Sequence, residues 1–184
     1  MSKWLILVLA AACTVVQAAP PSSAEDDVAR FMADKGIIER LERVSATVTD
    51  RASDLVVTAM GFLGVPYRRG GNTDAGFDCS GFVRAMYQRT MGLLLPRQAN
   101  EQAAATQAID KQELQPGDLV FFNTMKRAFS HVGIYVGNGK FIHSPKPGAQ
   151  VRVEDMGQAY WKHRFDGARR VLGLSASELP PAQP

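Results

Sequence analysis

Cysteine is scarce in this chain: its 184 residues hold two, Cys13 and Cys79. Cys13 falls in an apolar N-terminal stretch that reads as an export signal, which leaves Cys79 as the one thiol of the mature chain. One thiol closes no internal disulfide, so a disulfide-stapled scaffold is excluded. What remains is a reactive thiol or an intermolecular pairing. Histidine is nearly as sparse, with three residues, His131, His143 and His163. No close-spaced Cys or His pair of the kind that holds zinc is present, although His131, His143 and Cys79 together would be the only candidates for one. The apolar run from Trp4 to Val16 is too short to span a membrane. Charge of one sign is lacking too: 21 Lys and Arg stand against 18 Asp and Glu, for a net charge of +3. The basic residues are scattered and form no recognition motif, so no nucleic-acid partner is expected. A mild positive balance fits contact with an anionic polymer without naming one. No internal repeat and no second module is visible.

What is present divides the chain into four parts. Residues 1–18 read as a signal peptide, with Lys3 as the basic start and a cut after Ala18. Lipid attachment at Cys13 is the rival, weakened because Ala10, not Leu, stands three residues before it. Residues 19–47 form an N-terminal extension or linker whose role is not readable. A catalytic domain covers 48–172. The tail, 173–184, is rich in Pro, Ala and Ser, lacks a buryable face and reads as disordered. The domain length suits one hydrophobic core and a monomer.

Within the domain, Ala52, Leu55, Val56, Ala59, Met60 and Leu63 recur at helical spacing, which predicts a helix from Asp50 to Leu63 that Gly64 and Pro66 stop. Tyr67 to Gly76 is loop chemistry. A second helix starts near Asp78 or Cys79 and buries Phe82, Val83, Met86 and Tyr87. Leu119–Phe122 reads as a buried strand after the turn at Pro116-Gly117. His131–Val136 and Lys140–Ser144 read as a hairpin around Gly137-Asn138-Gly139. Val151–Val153 and Arg170–Leu172 are further candidate strands. One strong helix followed by a run of strands predicts an α+β fold with an antiparallel sheet.

Cys79 at a helix N-terminus has a chemical consequence. Unpaired N–H groups and the positive end of the helix dipole stabilise a thiolate, which lowers a cysteine pKa. The same N–H groups can hold the oxyanion of a tetrahedral intermediate. Ser80 can add its hydroxyl or amide, and Gly81 keeps the first turn open to substrate. The bland reading is a buried structural cysteine. A thiol with imidazoles is the minimal kit for nucleophilic catalysis, with His131 as base and His143 orienting it. Register decides whether they meet. A three-residue loop sets Gly133 against His143 and places His131 on the same face, whereas a two-residue Asn138-Gly139 turn without a bulge separates the histidines. Tyr67 either hydrogen-bonds near the thiol or simply packs the helix end. Arg68, Arg69 and Arg97 either meet substrate carboxylates or are solvated. His163, in a basic and aromatic stretch, reads as structural.

Taken in order, Val65–Gly71, Asp78–Val83, Leu95-Pro96-Arg97, Gln115–Phe122, His131–Val136 and Phe141–Ser144 resemble the NlpC/P60 cell-wall peptidases, which share a papain-like core. The resemblance covers about residues 50–172. It implies Cys79 as nucleophile, His131 as general base and acid, and His143 as the polar residue orienting His131. It also implies an oxyanion or substrate-binding set of Tyr67, Ser80, Asp78 and Arg97. The expected function is an exported cysteine endopeptidase that hydrolyses amide bonds in peptidoglycan stem peptides through a thioester. The expected place is the periplasm of a Gram-negative cell, or otherwise the cell wall. No metal or organic cofactor is implied. A thioester-forming acyltransferase and a non-catalytic wall-binding module remain the alternatives. Gln98 departs from the family pattern, in which Arg97 is usually followed by Ser or Thr.

Overall fold

The structure is a computed structural model, and it describes residues 51–172. The expected signal peptide, Cys13, the extension and the tail lie outside the described residues, as does the Asp50 cap. Among the described residues no helix is long and apolar enough to cross a membrane.

Helix α1 runs through residues 51–60 and buries Leu55 and Ala59, one turn apart on one face. It stops earlier than its apolar spacing predicts. The Leu63 N–H bonds back to the Met60 carbonyl, a tightened turn, and Met60 and Leu63 are exposed. The 67–76 loop is more ordered than its composition suggests. Strands β1 (Asn72–Thr73) and β2 (Gly76–Phe77) form a small hairpin inside it.

Helix α2 (Cys79–Met91) begins where Asp78, in extended conformation, accepts the Gly81 N–H at 2.7 Å. It ends at Gly92, whose φ of 69° is the left-handed cap that glycine adopts without a side-chain clash. Phe82, Val83, Met86 and Tyr87 are buried as their spacing predicts. A short α3 (Ala99–Ala104) follows, and at its start the Gln98 backbone N–H and side-chain amide both donate to the Glu101 carboxylate.

The remaining strands are β3 (Gln107–Ile109), β4 (Leu119–Phe122), β5 (His131–Gly137), β6 (Lys140–His143), β7 (Arg152–Asp155) and β8 (Phe165–Arg170). A short α4 (Ala159–Lys162) lies between β7 and β8. The six strands make one antiparallel sheet in the order β3-β8-β4-β5-β6-β7. The fold is therefore α+β, as the sequence predicts. Two strands sit a few residues away from their expected positions: β7 extends to Asp155, and β8 ends at Arg170, before Val171 and Leu172. The edge strand β3 carries no apolar run because it is mostly exposed.

Central β4 is buried along its whole length. Leu119 and Phe121 join the main core with α1 and α2, while Val120 and Phe122 join a second cluster with Phe141, Met156 and Trp161. This two-sided burial explains the unbroken apolar run Leu-Val-Phe-Phe, which alternation alone would not produce.

The β5–β6 hairpin settles the register question. Gly137 pairs with Lys140 across a two-residue Asn138-Gly139 turn, both central residues having positive φ, 51° and 72°. A bulge between Tyr135 and Gly137 then shifts the pairing, so that Ile134 faces Ile142. Continuing that register sets Gly133 beside His143. The turn is shorter than the three-residue loop, and the extra bulged residue restores the same parity.

Candidate active site

The first turn of α2 is built around the Asp78 carboxylate. It accepts the Gly81 and Gly70 N–H groups at 2.7 and 3.0 Å and takes both terminal nitrogens of Arg97, at 3.0 and 2.5 Å. Arg97 also donates to Ser80 Oγ at 3.0 Å. Gln102 of α3 donates its side-chain amide to the Ser80 and Pro96 carbonyls. Asp78, Ser80 and Arg97 thus bind one another behind Cys79, and none of their side chains lines the cavity described below. Arg97 spends its charge on Asp78 instead of facing a ligand. Gln98 points to Glu101 and is also absent from the cavity wall. Gly81 is buried, and a Cβ there would collide with the Gly71 carbonyl. The missing side chain makes room for the preceding loop and not for a substrate.

Cys79 opens into a cavity of about 500 Å³ that Tyr67, His131, Glu154 and Trp161 also line. Lys146 and Arg152 bring positive charge to the same cavity. The Tyr67 N–H is tied to the Ala149 carbonyl at 2.8 Å, so the loop before α2 and the loop after β6 meet at this wall. Ser144 Oγ donates to the Phe77 carbonyl at 2.7 Å and fastens the end of β6 to the residue before the α2 cap.

Burial, and next the Asp78 charge, push the Cys79 thiol above its ordinary value. Backbone N–H groups of Val132, Ser80 and Cys79 itself act the other way but do not win. The expectation of a depressed thiol is therefore reversed, because burial, and after it the carboxylate that caps the helix, outweigh the backbone N–H groups. The resting group is a thiol, and a base has to take its proton. Tyr67 is raised as well, first by burial and then by the neighbouring Cys79 and Asp78.

His131 Nε2 and His143 Nδ1 lie 2.7 Å apart, with the rings perpendicular. Trp161 stacks on His131 and meets His143 edge-on, with ring centroids at 5.6 and 5.1 Å. Burial, and then the partner imidazole, hold His131 well below its ordinary value. Burial also lowers His143, opposed by Glu154. Both rings are neutral near pH 7, and His131 is able to accept a proton. His131 Nε2 is occupied, so Nδ1 is the ring nitrogen left for that task. The Val132 N–H reaches Cys79, which places the sulfur next to the backbone of His131.

Sequence reading finds Cys79, His131, His143 and Tyr67 at this place and misses two residues. Trp161 was hidden in the aromatic and basic stretch read as structural. Glu154 was hidden in a strand whose end the apolar pattern did not reach. The two-residue period from Arg152 would have placed it on the same face. His163 is exposed at the end of α4 and does not line the cavity.

A half-buried thiol at a helix start, facing a hydrogen-bonded imidazole pair on an antiparallel sheet, defines a papain-like thiol site. The NlpC/P60 family profile matches residues 64–170, and the chain belongs to that family. It is 46% identical over 114 residues to a protein of Escherichia coli (strain K12) named murein DD-endopeptidase MepH, covering 60% of this chain and 42% of that one. It is 43% identical over 112 residues to murein DD-endopeptidase MepS/murein LD-carboxypeptidase of the same strain, covering 61% and 58%. The matched segment therefore spans about half the length of these relatives. Among solved structures, an NlpC/P60 family protein from Bacillus cereus ATCC 10987 superposes with a TM-score of 0.61 at 39% identity, covering 65% of this chain and 39% of that one.

Proposed function

We propose that this chain is a cysteine peptidase that hydrolyses amide bonds in peptidoglycan stem peptides. The observation that carries the reading is the Cys79 thiol sharing a cavity with a neutral His131 that His143 holds at 2.7 Å. His131 Nδ1 takes the thiol proton, and the sulfur attacks the amide carbonyl. The backbone N–H groups of Cys79 and Ser80 lie at the sulfur, where the oxyanion forms. The imidazolium then returns its proton to the leaving amine, and a thioester remains on Cys79. Water, deprotonated by His131, attacks the thioester and releases a new carboxylate. Tyr67 closes the wall beside the sulfur and orients the substrate.

The names of the relatives support the substrate class. So does a cavity that offers Lys146 to carboxylates. A wall substrate requires an exported enzyme, which fits reading residues 1–18 as a signal and 48–172 as the catalytic domain. Digestion of purified muropeptides in ¹⁸O-water tests the reaction. Hydrolysis places one heavy oxygen in each new carboxyl group. A product that carries an added amine or lipid in place of that oxygen shows acyl transfer and sinks the hydrolase.

A further inference from the structure

We propose that Glu154 is a positioning residue that fixes the proton pattern of the imidazole pair and leaves His131 Nδ1 open toward Cys79. The inference rests on reading Cys79, His131 and His143 as the reacting set.

The geometry begins in the register of β6 and β7. His143 pairs with Arg152 and Phe141 with Glu154, so Glu154 is the diagonal neighbour of His143. Arg152 Nε donates to Glu154 Oε1 at 2.5 Å, and its Nη2 reaches the same oxygen. That grip leaves Oε2 free, and Oε2 stands 3.4 Å from His143 Nε2. His143 is wholly buried, and its Nε2 has no other partner. A buried ring nitrogen without a hydrogen bond is costly, and this carboxylate oxygen is an acceptor within its reach.

An ionised carboxylate only accepts. The His143 side chain, and then Arg152, hold the Glu154 carboxyl down to about 2, so it is ionised wherever the protein works. His143 Nε2 therefore carries a hydrogen, and its Nδ1 presents a lone pair. Across the 2.7 Å contact His131 Nε2 must then be the donor. That leaves His131 Nδ1 without a hydrogen, as the acceptor the thiol needs. When His131 takes the Cys79 proton, Glu154 stabilises the imidazolium at a distance and takes no proton itself. A merely structural Arg152–Glu154 pair on an edge strand would leave both tautomers of His143 accessible.

The test uses ¹⁵N-labelled full chain, because imidazole nitrogen shifts report which nitrogen is protonated. The exposed His163 is the third signal and serves as internal reference. Wild type shows Nε2–H in both His131 and His143 near pH 7. Glu154→Gln presents an amide that donates as readily as it accepts, so the pattern becomes a mixture of tautomers. On a cleaved muropeptide kcat falls about 10–100-fold with KM little changed, the usual size of an outer-shell loss. Glu154→Ala gives the same direction and guards against a fortuitous Gln acceptor. Wild-type tautomers in both folded variants overturn the proposal, and so does an unchanged kcat. If wild type cleaves no muropeptide, the peptidase reading fails, and the tautomer shift alone decides the role of Glu154.

Discussion

Two neutral imidazoles share one proton across the 2.7 Å contact between His131 Nε2 and His143 Nδ1, so whatever stands at position 143 must accept. His143→Asn keeps an accepting oxygen, whereas His143→Ala removes it and opens a void beside Trp161. The expected order of kcat is wild type, then Asn, then Ala, with the Ala variant down at least ~100-fold, the scale of a displaced general base. Steady-state kinetics on one muropeptide check the order. The ionisation directions make a second prediction. The folded pKa of His131 is depressed from 6.5, so the unfolded chain binds the extra proton first as pH falls. Stability from this group is full above 6.5 and is lost toward the lower folded value. Glu154 acts in the same sense between 4.5 and about 2. Thermal melts should show Tm falling as pH drops below 6.5, and a flat Tm down to pH 5 would contradict the buried neutral imidazole. At this scale the sequence revealed the thiol and both imidazoles because their types are rare in the chain. It did not reveal that Asp78 and Arg97 bind each other, since a carboxylate and a guanidinium nineteen positions apart carry no sign of pairing.

The hairpin between β5 and β6 sets the two imidazoles on one face, and it does so through one extra residue. Deleting Val136 removes the bulge while leaving the Asn138-Gly139 turn intact. Tyr135 then still meets Phe141 and Gly133 still lies beside His143, so His131 keeps the face of His143. Cleavage should survive in the folded variant, and its loss would show that the bulge does more than set the register. Gly133 tests the same element more gently. A Cβ there would lie 2.6 Å from Phe141 Cδ2 and 3.2 Å from His143 Cβ. Gly133→Ala should cost about 1–3 kcal/mol by chemical denaturation, the usual price of overpacking, and should lower kcat by tilting His143. The hairpin was legible in outline from Gly-Asn-Gly between two apolar runs. The bulge was not, because backbone pairing and not residue type decides where a strand takes its extra residue. The start of helix α2 was legible almost to the residue, since Asp78 is a strong cap and the buried face is regular.

The thiol, imidazoles, Glu154 and Trp161 all lie inside the family match at 64–170. The account therefore expects residues 48–172, expressed alone, to keep the turnover of small muropeptides. Loss of that turnover in a folded fragment would assign part of the site to the flanking segments. The α+β class was readable from one strong helix followed by strands. The second apolar cluster around Trp161 was not, because its members come from four separate stretches and only folding brings them together.

The central claim is that the thiol of Cys79 performs the cleavage. Purified muropeptides incubated with wild type and with Cys79→Ala, with products identified by mass spectrometry, test it most directly. The account predicts new peptide termini with wild type and none with a folded Cys79→Ala. Equal cleavage by both proteins, or none by either over a full panel of stem peptides, would contradict it.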